Sequence, residues 1–255
     1  MSPCPFAYSA PLSQLFINST GISRLAMRAA TCSNTPMDRD EIRAMRRSYG
    51  ELGLSESDAN QNPITQFEIW LTAAAENPYV VEANAMVLGT IAGDQPKSRS
   101  VLLKEVSQTG FVFYSNYESD KGKEISQNQN VSLTFPWFPM ERQVIVLGTA
   151  TKVSNAESAD YFSTRPWSSQ IGAWASNQSE VIAGRDSLQK NWDEIAAKYP
   201  EGSTVPLPPN WGGYCVVPHS IEFWQGRYSR LHDRLRYTLD TVDANKKWQL
   251  TRLAP

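Results

Sequence analysis

Histidine is nearly missing from this chain: His219 and His232 are the only two in 255 residues. A His-built metal cage or a Ser-His-Asp hydrolase has little to draw on, since His219 follows Pro218 in an expected turn and His232 lies among arginines. Cysteine is equally scarce. Cys4, Cys32 and Cys215 are odd in number and show neither CxxC nor metal spacing, which argues against a disulfide framework or zinc site and fits a reducing compartment. Cys215, in Gly-Tyr-Cys-Val-Val, reads as a buried strand residue. Positive charge is not in excess: 24 basic against 26 acidic residues give −2, unlike the basic face that broad nucleic-acid binding needs. No apolar run approaches the roughly 20 residues of a membrane span. A Walker loop, a GxGxxG after a strand, HExxH and GxSxG are all absent. A reaction carried by such a chain calls for an organic cofactor, with the protein supplying position and charge.

The first 36 residues contain no Asp or Glu, many Ser and Thr, and two arginines, Arg24 and Arg28. That composition suits a mitochondrial or plastid transit peptide, or a disordered tail. Met27 and Met37 are alternative starts, and the acidic Met37-Asp-Arg-Asp-Glu reads like a natural beginning. The cytoplasm is the expected location, with organelle targeting by residues 1–36 as the alternative. Residues 1–44 are expected to lack fixed structure.

Hydrophobic content of 41% and charged content of 20% are those of a globular chain with a substantial core, as one large β domain or two small ones. Asn62-Pro63 opens a predicted helix whose Ile64, Phe67, Trp70, Leu71 and Ala74 share a face. After Pro78 the pattern shortens to β runs: Ala85–Ala92, Ser98–Val106, Gly110–Asn116, Val131–Trp137 and Arg142–Val153. Turn signals such as Gly93-Asp94 and Thr109-Gly110 separate them. Short links predict an antiparallel meander closed as a barrel. Ser154-Asn-Ala-Glu157 is a capping box, starting a helix that puts Tyr161 and Arg165 on one face and ends at Pro166. A further helix over about 186–199 sets Leu188, Trp192, Ile195 and Tyr199 at core spacing. Beyond the Pro206, Pro208 and Pro209 connector come strands 211–217, 221–225, 235–239 and 248–253.

Glu222-Phe-Trp-Gln-Gly-Arg-Tyr-Ser-Arg-Leu-His-Asp-Arg234 concentrates Trp224, three arginines and His232. Arginine forks suit phosphates and flat rings, histidine exchanges a proton near neutrality, and Trp can wall a flat ligand. The cluster suits an anionic, aromatic small molecule; the plainer alternative is a salt-bridged turn with Asp233 neutralising an arginine. Three more polar groups recur. In Ser98-Arg-Ser-Val-Leu-Leu-Lys104, Arg99 and Lys104 point to opposite faces of a strand unless a bulge intervenes. The second group, Tyr114-Ser-Asn-Tyr-Glu-Ser-Asp-Lys-Gly-Lys-Glu124, brings hydroxyls and lysines to a helix N-terminus, a plausible phosphate seat. In residues 161–179, Tyr161, Arg165 and Ser169 can converge on one phosphate from a helix end and the following loop. Gln178 and Ser179 add donors there, while Trp167 and Trp174 read as packing.

In order along the chain, Arg165-Pro…Ser169-Gln-Ile-Gly-Ala-Trp, Trp211-Gly-Gly-Tyr, Ile221-Glu-Phe-Trp-Gln-Gly and Arg230-Leu-His-Asp-Arg resemble the pyridoxine/pyridoxamine 5′-phosphate oxidases. Arg142-Gln-Val also matches, and the resemblance runs from about Met45 to Pro255. It implies a mainly β, split antiparallel β-barrel of the FMN-binding type with peripheral helices, covering residues 45–255, with 211–255 as a dimerisation and substrate-site region. FMN would sit at the interface of a homodimer. Pyridoxine or pyridoxamine 5′-phosphate would pass a hydride from C4′ to flavin N5, with O₂ reduced to hydrogen peroxide and pyridoxal 5′-phosphate released. Matched by motif, Arg99, Ser100, Val101 and Leu102 would line the flavin and its phosphate, and Tyr114, Ser115 and Lys121 would hold the phosphate and ribityl chain. Gln143, Gln178, Ser179, Trp224 and Arg234 would complete the flavin site. Lys104, Tyr161, Arg165 and Ser169 would grip the substrate phosphate, while Arg230, Leu231 and His232 would meet its ring, His232 either orienting it or relaying a proton. Arg46 and Tyr49 match a segment that closes over substrate. Arg165, Arg230 and His232 are thus expected to converge on one cleft.

One departure stands out: the family pattern has Arg-Lys after the phosphate-loop serine, and here the pair is Asp120-Lys121. Either Lys123 compensates or Asp120 turns to solvent. Competing readings are a related flavoprotein acting on another heterocycle, such as a phenazine-pathway oxidase, a non-catalytic carrier of FMN or pyridoxal 5′-phosphate, and a scaffold without a ligand.

Overall fold

Alternation builds the sheet. Along β1 (Ala85–Ala92) the residues Met86, Leu88 and Thr90 are buried and their neighbours less so, and β5 (Asn130–Trp137) buries Val131, Leu133, Phe135 and Trp137 in the same rhythm. β2 (Gln95–Leu102), β3 (Glu105–Ser107), β4 (Gly110–Asn116), β6 (Arg142–Lys152), β7 (Trp211–Gln225), β8 (Asp233–Leu239) and β9 (Trp248–Leu253) complete nine antiparallel strands. A computed structural model describes residues 38–45, 48–240 and 247–255 and divides the chain into two units, Met1–Arg46 and Arg47–Pro255. In the first, the described residues include the helix α1 (Arg39–Ala44), inside the stretch expected to lack structure. Arg46 and residues 1–36 lie outside the described residues, so the leader and that substrate contact gain no structural account.

The strand order is β2-β1-β5-β6-β7-β4-β3, with β8 and β9 continuing from β7. The expected meander therefore survives only as hairpins, because β1 pairs β5 and β7 returns to β4. Among the described residues no ladder joins β2 to β3, so the sheet is a split barrel rather than a closed one. The run expected as one strand, 98–106, breaks at Leu103-Lys104, where the chain exchanges β1 for β4 as its partner. Conversely, β7 is one strand where two were expected. Gly148 pairs with Pro218 and Leu147 with Ser220, so His219 is the extra residue of a bulge, a place where a proline is tolerated.

Helix α2 (Pro63–Glu76) starts as its sequence demands: Asn62 Oδ1 accepts from Ile64 N at 2.8 Å and Thr65 N at 3.4 Å, with Pro63 in the first turn. It delivers Phe67, edge-on to Phe111 at 4.9 Å and Phe135 at 4.8 Å, into the main core. A second core of Phe162, Ile171, Val205 and Trp211 lies under α4 (Asn155–Thr164), α5 (Trp167–Ala175) and α6 (Arg185–Lys198). The capping box at Ser154 and Glu157 is present, but Pro166 does more than stop α4: it caps α5, a helix where a loop was expected. Trp167 and Trp174 pack as anticipated, donating to Tyr199 O at 2.9 Å and Pro206 O at 2.7 Å. Among the described residues no helix is long and apolar enough to cross a membrane.

Candidate active site

A cleft of about 1210 Å³ opens where β2, the end of β4, the start of α3 (Asp120–Gln127), the α4–α5 corner and the start of β7 meet. Thirteen of the expected site residues line it. Arg99, Ser100, Val101 and Leu102 come from β2, Lys104 from just beyond it, Tyr114 and Ser115 from β4, and Lys121 from α3. Tyr161, Arg165 and Ser169 come from the α4–α5 corner, and Gln178 and Ser179 from the loop after α5. The break after β2 is what lets Arg99 and Lys104 share one cavity. Leu103 N donates to Asn84 O and Lys104 N to Val112 O, each at 2.8 Å, so the chain re-aims between them.

On the α3 side, fully buried Ser119 caps the helix, its Oγ accepting from Gly122 N at 3.4 Å and from Lys121 Nζ at 3.2 Å. Lys121 Nζ also donates to Gln178 Oε1 at 2.9 Å, and Ser115 Oγ donates to the same oxygen at 3.2 Å. One amide carbonyl thus ties β4, α3 and the α5–α6 loop together, beside Ser179 in the left-handed region at φ 75°. Burial, then the nearby Arg99, pushes the Lys121 ammonium below its usual range, as a desolvated cation among cations must be. Asp120 is exposed where it meets the cleft, and Lys123 does not line it.

At the other end, the Arg165 guanidinium lies over Trp211 at 4.7 Å and Phe162 at 5.6 Å. No carboxylate among the described residues comes within ion-pairing distance, and Arg165 Nη1 is buried without a hydrogen-bond partner. Burial pushes the Arg165 pKa down. Tyr161 stacks on Tyr114 at 3.9 Å, and Tyr114 on Trp211 at 5.5 Å. Gly213 permits this stack, because a Cβ there would meet Tyr114 Cε1 at 2.8 Å. Burial, then Glu105, pushes the Tyr114 phenol up to about 12, leaving it a neutral donor. Trp211 and Asn116 also line the cleft, though no site role was expected of either; only the Trp-Gly-Gly-Tyr motif hinted at the first.

The remaining described candidates form a second group. Gln143, Trp224 and Arg234 are cross-strand neighbours on β6, β7 and β8. The His232 ring sits 4.7 Å from Trp224 and 5.3 Å from Tyr49, which meets it edge-on. Arg227 N donates to His232 Nδ1 at 3.0 Å, so a neutral ring carries its proton on Nε2. Burial, then Arg230, pushes the His232 pKa down. Ser229 and Arg230 take consecutive left-handed conformations, φ 56° and 63°, and present Arg230 and Leu231 to solvent. Asp233 does neutralise an arginine, in fact two: it accepts from Arg252 Nη1 at 2.6 Å and Arg227 Nη1 at 3.3 Å, and from Leu54 N at 3.0 Å. Arg234 is paired with buried Glu222 at 2.8 Å.

Convergence of Arg165, Arg230 and His232 within one chain is not what the structure has, since neither Arg230 nor His232 lines the cleft. The reason lies in β7. Trp211 opens that 15-residue strand and Trp224 stands near its end, a separation of roughly 40 Å along the strand at about 3.3 Å per residue.

Comparison with known proteins places the chain in a family. The family model described as pyridoxamine 5′-phosphate oxidase matches residues 73–199, and that of the pyridoxine 5′-phosphate oxidase C-terminal dimerisation region matches 211–255. The pyridoxine/pyridoxamine 5′-phosphate oxidase of Streptomyces avermitilis is 47% identical over 225 residues, covering 86% of this chain and 99% of that protein. That of Rippkaea orientalis is 50% identical over 217 residues, covering 84% and 100%. Among solved structures, PhzG from Burkholderia lata in complex with tetrahydrophenazine-1-carboxylic acid superposes with a TM-score of 0.74 at 29% identity, covering 82% of this chain and 100% of that one. A pyridoxamine 5′-phosphate oxidase-related, FMN binding protein from Nostoc punctiforme shares the fold at a TM-score of 0.60 and 13% identity, covering 77% and 100%. With one family model over most of the cleft-forming elements and another over the β7–β9 segment, the chain belongs to the pyridoxine/pyridoxamine 5′-phosphate oxidases, FMN-dependent oxidases with a C-terminal dimerisation region.

Proposed function

We propose that this oxidase converts pyridoxine 5′-phosphate and pyridoxamine 5′-phosphate to pyridoxal 5′-phosphate with O₂ as acceptor, and that its site is completed by a second copy of the chain. The observation that carries this reading is the division of the matched residues between the two ends of β7. Groups at opposite ends of a 15-residue strand, with only one of them in the cleft, do not meet one flavin within a chain, whereas two copies related by a twofold axis can bring the cleft of one to the Trp224–Arg234 group of the other. Exposed Tyr228 and Leu231, each 68% accessible, flank Arg230 in the segment matched as a dimerisation region.

The cleft fits FMN. It exceeds the usual ligand-pocket range of about 300–1,000 Å³, and it offers a buried ammonium, a guanidinium and an anchored amide. When bound, FMN supplies the acceptor for the substrate's electron pair and passes it to O₂. The protein's part is placement. Lys121, Ser115 and Arg99 would hold the cofactor's phosphate end, and Tyr161, Arg165 and Ser169 the substrate's. A phosphomonoester of about −1.5 to −2 suits an Arg165 that lacks a carboxylate partner. His232, with Nδ1 occupied, can only donate from Nε2, which favours orienting the substrate over relaying a proton. Residues 45–255 would carry the oxidase, with 1–44 preceding it.

Adding pyridoxamine 5′-phosphate without air should bleach the yellow chromophore, and admitting air should restore it with peroxide. Bound flavin that stays yellow with either B6 ester rejects the substrate assignment. Likeness to PhzG favours a second reading, a phenazine-type substrate; bleaching by a tetrahydrophenazine acid but not by B6 esters would establish it. For the composite site, Arg165→Ala and His232→Ala variants, each crippled alone, should regain about a quarter of wild-type activity when co-expressed, since half the dimers would be mixed and each would hold one intact site. No regain refutes a shared site.

A further inference from the structure

Glu124 is a buried acid for which the reaction has no use. Its side chain is 6% exposed on α3, one turn after Lys121, and it faces β1 and β2 rather than solvent. Oε2 accepts from Thr90 Oγ1 at 2.5 Å and from Arg99 Nη2 at 2.7 Å, while Arg99 Nη1 donates to the Thr90 hydroxyl. Lys97 Nζ lies 3.2 Å from Oε1 as an ion pair, outside hydrogen-bonding geometry, so Oε1 has no hydrogen-bond donor. Burial alone would raise this carboxyl; Thr90, Lys97 and Arg99 hold it below its usual range instead. A charged carboxylate is therefore kept behind the wall of the cleft, against Arg99, which lines it.

We infer that Glu124 is a positioning residue: with Thr90 it locks the Arg99 guanidinium in one orientation, so that the donors it leaves free meet the cofactor's phosphate. The inference rests on the reading that places Arg99 at that phosphate. An arginine with two of its five N–H groups fixed by a carboxylate and a hydroxyl loses its rotamer freedom before the ligand arrives, and three donors remain for the cleft. A free Arg99 would have to be ordered at the expense of binding.

Deflavinated wild type, Glu124→Gln, Arg99→Met and the double variant, each titrated with FMN and with riboflavin by flavin fluorescence, test this. Glu124→Gln keeps the side chain's shape and trades a charge-assisted contact for a neutral one, so FMN affinity should fall about tenfold. Riboflavin, which lacks the phosphate, should bind both proteins alike, and the double variant should bind FMN no more weakly than Arg99→Met. Equal losses for both flavins would mean a role in folding only, and a gain in FMN affinity would mean that Glu124 merely offsets positive charge; either overturns the inference. If Arg99→Met itself leaves FMN binding unchanged, the placement of Arg99 at the phosphate falls and takes the inference with it. Should Arg99→Met fail to fold, Arg99→Lys, which keeps the charge but not the fork, replaces it in the same comparison.

Discussion

Replacing Arg165 by Met should cost activity while leaving stability nearly unchanged or raised. This guanidinium is held by aromatic faces, and no group among the described residues accepts from its buried Nη1. A buried unsatisfied donor costs about 1–3 kcal/mol, against roughly 0.5–2 kcal/mol returned by the cation–π contact. A thioether removes both terms, so the variant should lie between about 1 kcal/mol less and about 2.5 kcal/mol more stable than wild type, within a few degrees in melting temperature for a unit of this size. Substrate binding should suffer. One guanidinium–phosphate contact with charge-assisted hydrogen bonds contributes about 1.5–3 kcal/mol per bond, so kcat/KM should fall about 10²–10³-fold, chiefly through KM. FMN occupancy should be unchanged. Differential scanning of the apoprotein and steady-state peroxide assays read the two effects separately. A loss of stability well beyond about 1 kcal/mol with KM unmoved would refute the reasoning, because Arg165 would then be a structural cation.

Three further outcomes follow from the same geometry. Gln178→Ala should weaken FMN about tenfold, since buried Lys121 Nζ would keep only Ser119 as its acceptor; unchanged affinity in a fluorescence titration would show that the amide tie is irrelevant. His232 has a depressed pKa, so it stays neutral until pH falls below the ordinary value of about 6.5, and protonation then breaks the Arg227 N–H···Nδ1 bond. The pH profile of KM should thus show any His232-dependent limb only below that pH, and a limb above it that disappears in His232→Gln would contradict the assignment. Asp233 is also depressed: burial would raise it, but Leu54 N–H, Arg252 and Arg227 outweigh that, so its stabilisation is present above the unfolded carboxylate pKa of about 4 and lost as pH falls through the folded value. Asp233→Asn should cost about 1–3 kcal/mol by urea unfolding at pH 7, discounted for its half-exposed arginine partners, and the gap to wild type should narrow only as pH falls below the ordinary carboxylate range.

Strands 85–92, 110–116 and 248–253 were legible to the residue because alternation and turn residues determine them locally. The break at Leu103-Lys104 was not, since it records a change of partner strand that no local pattern encodes. Pro166 and Pro218 misled for opposite reasons: the first ends one helix and caps another, and the second is tolerated inside a strand because a bulge removes the need for its N–H. The cleft was legible wherever a residue's chemistry was unusual for its place, as with Arg165 or Lys121. Glu124 escaped notice, since a carboxylate on a short polar helix looks solvated until the fold lays β2 across it. The separation of Arg165 from His232 was hidden too, because motifs give order along a chain and not which end of a strand they occupy.

Arg252 donates to Leu54 O and grips Glu56 across sequence separations of 198 and 196 residues. Contacts of that span close long loops, whose entropy must be lost before the contacts return anything. Residues 49–56, with Tyr49 against His232 and Leu54 in the main core, are therefore held by the C-terminal strands rather than by their neighbours in sequence. One arginine on the last strand thus fastens the segment before α2, so cutting that clasp, as in Arg252→Ala, should loosen the Tyr49 edge against His232 as well as the C-terminus.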